Sequence, residues 1–106
     1  MGDRPLEKDL QGKILKDLRS LYPRCSCFKI MKSSDYGVPD VFFTTQLTGA
    51  IFIECKREGE VPSPNQKKMI ADLNRNGTKA FVCDSWGRWM EIKNILKLHV
   101  IHNSIL

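Results

Sequence analysis

An α/β fold of order αβββαβ, with a mixed central sheet flanked by helices, follows from three features of this 106-residue chain. Two stretches carry helical periodicity, one near the N-terminus and one after the start signal Ser63-Pro64-Asn65-Gln66. Three short runs of β-branched and aromatic residues lie between them, close enough in sequence to pair as a meander. A fourth such run follows the second helix, so that helix is a crossover and the sheet is mixed.

Residues 3–22 place Leu6, Leu10, Ile14, Leu18 and Leu21 on one stripe, with charged residues elsewhere. Asp3 suits the N-cap and Pro5 the first turn, where a missing N–H costs little. Pro23 closes the helix. Residues 25–31 (CSCFKIM) read as a strand, 32–37 as a turn-rich connector, and Asp40 to Thr44 as a second strand. A loop at 46–49 leads to a third strand, 50–56, with Ala50, Phe52, Glu54 and Lys56 on one face and Ile51, Ile53 and Cys55 on the other. Both faces are largely apolar, as expected of a central strand covered on two sides. In the second helix Ser63 is the N-cap, Pro64 opens the first turn and Gln66 closes a capping box. Met69, Ile70 and Leu73 form its buried stripe, and Asn76-Gly77 ends it. Residues 78–84 make the fourth strand. SWGRWMEI (85–92) reads as a tight turn plus a short strand, and KNILKLH (93–99) as a short terminal helix. Residues 1–106 are expected to form a single domain.

The composition, 42% hydrophobic and 27% charged, is that of a globular protein. No apolar run reaches the ~20 residues needed to cross a bilayer, and MGDRPLEKDL lacks a secretory signal's apolar segment. The expected location is the cytoplasm, and no membrane partner is expected. A net charge of +5 and a pI near 9.2 favour a polyanionic partner, nucleic acid above all. Four cysteines stand at 25, 27, 55 and 83, without the C-x₂₋₄-C pairs typical of structural zinc. Free thiols are the better account.

Acids interrupt two of the strands. Asp40 opens the second, directly after Pro39, and Glu54 sits near the end of the third with Lys56 two residues on. A hairpin centred on Gln46-Leu47 sets position 40 opposite 53 or 54, which brings the carboxylates together with Lys56 on the same face. Two carboxylates at that range repel unless a cation joins them or one takes up a proton. Hard oxygen ligands suit Mg²⁺ or Mn²⁺, which also recruit phosphate oxygens and acidify water. A lysine beside them can hold or deprotonate water and offset charge building on a phosphodiester under attack. These residue types fit phosphodiester hydrolysis.

Asp40 followed by Glu54-Cys55-Lys56 resembles the PD-(D/E)XK nuclease pattern, with Pro39-Asp40 written out in full. More narrowly, GVPD (37–40), IFIECKREG (51–59) and PSPNQ (62–66) resemble the virus-type replication-repair nuclease domain, VRR-NUC, with a likeness over residues 5–92. That resemblance implies a restriction-endonuclease-like fold. It implies metal ligation by Asp40, Glu54 and the backbone carbonyl of Cys55, with Glu7 assisting. It assigns Lys56 as the catalytic lysine and places Gln66 beside the site. It further implies a stand-alone, phage-type enzyme of a bacterial host, acting as a homodimer on branched DNA such as Holliday junctions, without a small-molecule cofactor. Lys29, Lys32, Ser33, Arg57, Lys67 and Lys68 cluster around the expected site and are candidates for a DNA phosphate track.

Plainer accounts stand beside these. Asp40 suits a post-proline turn, Glu54 and Lys56 a strand-end ion pair, and Glu7 the first turn of any helix. The capping box accounts for Gln66, and solvation for the lysines. Trp86 and Trp89 could stack on bases or close a core. Two functional alternatives remain: a catalytically idle DNA-binding module of the same fold, or a restriction or RNA-processing nuclease with the same active site.

Overall fold

The computed structural model describes residues 7–31 and 37–98. Helix α1 (Glu7–Leu21) is followed by strands β1 (Ser26–Lys29), β2 (Val41–Thr45) and β3 (Gly49–Cys55), helix α2 (Pro64–Arg75), strand β4 (Lys79–Cys83) and helix α3 (Trp86–Leu96). The sheet order is β1-β2-β3-β4. Its first three strands form an antiparallel meander, and β4 joins parallel to β3 through α2. The expected mixed sheet flanked by helices is therefore present, with β3 in its interior. The expected N-cap Asp3 and first-turn Pro5 lie outside the described residues.

Sheet alternation decides where the core sits. Val41 and Phe43 of β2, Ile51, Ile53 and Cys55 of β3, and Cys83 of β4 are fully buried against Leu10, Ile14 and Leu18 of α1 and Trp89 and Ile92 of α3. Phe43 meets Trp89 edge to face at 6.1 Å between ring centres, a favoured aromatic geometry. The opposite face carries Phe28, Phe42 and Phe52 as a cross-strand row, with neighbouring centres 5.2 and 5.3 Å apart. Helix α2 packs against the β4 side of that face. None of its residues is fully buried, so the stripe Met69, Ile70, Leu73 is only half-buried, where burial was expected. At the far edge Phe28 is 51% exposed.

The C-terminal reading needs correction. In place of a turn, a strand and a short helix, residues 86–96 form one α-helix. Ser85 caps it by accepting from the Arg88 amide at 3.1 Å, and Lys97 ends it in the left-handed conformation. Trp89, Ile92 and Leu96 then fall on one buried face. A partly buried polar pin fixes α3 to α1: the indole Nε1 of Trp89 and the ammonium of Lys93 both donate to Oδ2 of Asp17 at 2.8 Å. All four cysteines are free thiols; Cys55 and Cys83 are buried and face each other in register across β3 and β4. Among the described residues no helix is long and apolar enough to cross a membrane.

Candidate active site

The β2–β3 register pairs Val41 with Ile53, which extends to set Asp40 opposite Glu54. Asp40 itself precedes β2, and its carboxylate replaces a ladder bond by accepting from the Cys55 amide at 2.9 Å. Its backbone carbonyl accepts from Ile30 at 2.7 Å, which ties the residue to the end of β1. Pro39 is buried beneath. Amide and carbonyl of one strand residue point to the same edge, so the Cys55 carbonyl also faces the Asp40 side.

Glu54 is only 2% exposed. Its Oε2 accepts from Nε2 of Gln66 at 2.9 Å and lies 4.0 Å from Nζ of Lys56. Its Oε1 is buried and has no hydrogen-bond donor. A buried carboxylate oxygen left without a donor is costly, and such an orphan marks a place where a proton or cation belongs. Burial first, and the charge of Asp40 second, push the Glu54 carboxyl up to about 8. Asp40 is also raised, chiefly by burial, against the lowering effect of the Cys55 amide and Lys56.

Gln66 performs both tasks that its position suggested. Its Oε1 accepts from the Ser63 amide at 2.8 Å, completing the capping box, and this orientation turns Nε2 toward Glu54. The helix start therefore holds the amide that orients the buried carboxylate. Gly37 brings the Asp40 loop against that same helix start. It has φ of +85°, and a Cβ there would stand 2.9 Å from the Gln66 nitrogen and closer still to the Asn65 carbonyl. No other residue fits both the conformation and the space.

Glu7, the first residue of α1, is half-buried within electrostatic reach of Lys56, Glu60 and Asp40, and its carboxyl is raised mainly by burial. Two further residues join the cluster without having been singled out by the sequence reading. Gln11, one helical turn after Glu7, lies near enough to Asp40 to lower its carboxyl, and Glu60 near enough to Glu7 to raise that one. Spacing of i, i+4 from Glu7 was the available signal for Gln11. For Glu60, in the loop after β3, no spacing rule applied.

The proposed phosphate track is less uniform. Lys29 stands opposite Val41 at the end of β1, and alternation puts it on the other sheet face from Phe28. Arg57, Lys67 and Lys68 are exposed, with Lys67 and Lys68 following Gln66 in α2. Lys68 is engaged by Asp72 at 2.9 Å. Lys32 and Ser33 lie outside the described residues.

Among the described residues no group of three or more His, Cys, Asp or Glu side chains stands in metal-holding geometry. Mg²⁺, however, is commonly held by one or two carboxylates, with water completing its shell. Asp40, Glu54 with its orphaned oxygen, and the carbonyl of Cys55 fit that requirement. Oxygen-only donors exclude the soft-metal preferences of thiolate sites.

Two carboxylates, a lysine and a glutamine are thus gathered at one end of the αβββαβ sheet, at the positions of the PD-(D/E)XK-like pattern. The VRR-NUC domain family matches residues 7–86, from the first residue of α1 to the first of α3, and the chain belongs to that family. VRR-NUC domains are nuclease domains of the PD-(D/E)XK type. A solved structure described as a VRR_NUC domain superposes with a TM-score of 0.70 at 19% identity, covering 85% of this chain and 97% of that one. No curated protein sequence matches the chain.

Proposed function

We propose that this protein is a Mg²⁺- or Mn²⁺-dependent endonuclease that hydrolyses DNA phosphodiesters, acting on branched DNA such as four-way junctions as a homodimer in the cytoplasm of a bacterial or phage-infected cell. One observation carries the reading. Glu54 is buried with Oε2 fixed by Gln66 and Oε1 without a donor, beside Asp40 and Lys56. Asp40, Glu54 and the Cys55 carbonyl would hold the cation, and Glu7 would reach it through water. The cation supplies acidified water and charge neutralisation at the phosphate.

Each residue then has a task. Gln66 fixes the plane of the Glu54 carboxylate before substrate arrives, so little reorganisation is needed. The Cys55 amide holds Asp40 in place. Lys56, with its ammonium 4.0 Å from Glu54, donates to the attacked phosphate and offsets the charge that builds there. Water attacks phosphorus, the P–O3′ bond breaks, and a proton is delivered to the leaving 3′ oxygen.

The homodimer draws support from the sheet face that α2 leaves uncovered. Phe28 is 51% exposed there, next to the half-buried Phe42 and Phe52. Cutting two strands symmetrically needs two sites related by a two-fold axis. A substrate panel tests the function: four-way junction, linear duplex and RNA duplex, each incubated with Mg²⁺, Mn²⁺ or EDTA. Faster cutting of the junction than of linear DNA is expected, with none in EDTA. Preferential cutting of RNA or of a linear sequence would replace the substrate assignment.

A further inference from the structure

A second feature adjoins the catalytic lysine. Lys56 also lines a cavity of about 160 Å³, together with the apolar Leu10 and Trp86 and the polar Lys13, Glu58, Asp84 and Ser85. Trp86 opens α3 and keeps 42% of its surface exposed, unlike Trp89, which is fully buried. Its indole is braced from below. The ammonium of Lys93 lies 5.8 Å from the ring centre and is itself held by Asp17 at 2.8 Å. A large aromatic surface that is both exposed and fixed is what stacking requires, since little freedom is lost on binding.

The chemistry of the walls selects the ligand. The volume is below the ~300 Å³ at which pockets for drug-sized ligands begin, and suits one planar heterocycle. Glu58 and Asp84 balance Lys13 and Lys56, so the lining has no net positive charge to draw in a phosphate. The Asp84 carboxylate, which takes the Gly59 amide on Oδ2 at 3.4 Å, can also accept from the exocyclic amine of a base. We propose that this cavity takes a single unstacked nucleobase of the substrate, one that carries an exocyclic amine, with Trp86 as its stacking wall. Lys56 spans the two sites, so the captured base belongs to a nucleotide next to the scissile phosphate. Paired, stacked DNA cannot offer that base without cost, whereas the bases at a branch are already loosened. The pocket would thus contribute to selection of branched DNA, and it rests on the nuclease reading given above.

The test is a cycle between Trp86 and the base. Junctions carrying an abasic residue at each position flanking the cut are cleaved in Mg²⁺ by the wild type, Trp86→Ala and Trp86→Phe. One abasic position should lower wild-type kcat/KM about ten-fold, within the range measured for base stacking. Trp86→Ala should lose a similar factor on intact DNA and nothing more at that position, while Trp86→Phe keeps most of the activity and the abasic sensitivity. Independent, multiplied losses, or no sensitive abasic position, would overturn the proposal. A binding arm in Ca²⁺ separates it from the nuclease reading. Wild-type tryptophan emission, taken as the difference from Trp86→Phe, should be quenched by intact but not by the sensitive abasic DNA. Quenching without cleavage of any DNA would remove the nuclease reading and keep the base pocket. Cleavage without quenching would remove the pocket alone.

Discussion

Glu54 carries the electrostatic strain of the site, and its protonation gives a signed prediction. Its carboxyl is raised from 4.5 to about 8 in the fold. Without a cation it is therefore neutral in the folded chain and ionised in the unfolded chain between those values. Unfolding then releases a proton, so stability is full below the lower value and falls as pH rises toward 8. In EDTA, urea unfolding of the wild type should lose at most about 1.4 kcal/mol per pH unit through this group across that window. Glu54→Gln, neutral at every pH, should show a flatter profile. Mg²⁺ or Mn²⁺ should raise the wild-type Tm at pH 8, and much less that of Glu54→Gln. A wild-type profile rising with pH in EDTA would contradict the assignment. Residue identity also showed most of the site in the sequence, because carboxylates and a lysine inside strands are conspicuous. Gln11 was not legible: a glutamine on a helix flank looks like any solvated residue until Asp40 is placed against it.

Among the elements, α1 and α3 are joined by Asp17, Trp89 and Lys93, a small, partly buried polar network. Removing the acid leaves Lys93 buried without its carboxylate, so Asp17→Ala should cost about 3–5 kcal/mol. Lys93→Met keeps the packing and leaves Asp17 with the indole donor, and should cost clearly less by urea unfolding. Equal losses would mean that packing rather than charge sets the cost. A second element-level prediction concerns Gly37, whose φ of +85° and closeness to Gln66 leave no room for a side chain. Gly37→Ala should displace the start of α2 and lower both stability, by about 1–2 kcal/mol or more, and activity. The sequence showed α2 well because its capping box and Asn76-Gly77 end are local signals. It misled at α3 because Gly87 imitates a turn, although Gly is tolerated in a first turn and Ser85 already supplied the N-cap.

At the scale of the molecule, the described residues form two unequal sheet faces, one closed by α1 and α3 and the other only partly covered by α2. The sequence placed Phe28, Phe42 and Phe52 in strands, but their shared face and its incomplete cover depend on register and on where the crossover helix lands. A dimer across that face predicts that Phe28→Lys, at an exposed position, folds normally and yields the monomer mass in solution, where the wild type gives twice it. An unchanged mass would move the dimer surface elsewhere.

The central claim is that Asp40, Glu54 and Lys56 form a cation-dependent hydrolytic site. Its most direct test is a nicking assay on a four-way junction with wild type and Lys56→Ala, in Mg²⁺ and in EDTA, both proteins first shown to melt alike. Wild type should cut only with Mg²⁺, and Lys56→Ala should cut about 10²–10³-fold more slowly while still binding the junction. Equal cutting by Lys56→Ala, or cutting that survives EDTA, would contradict the account.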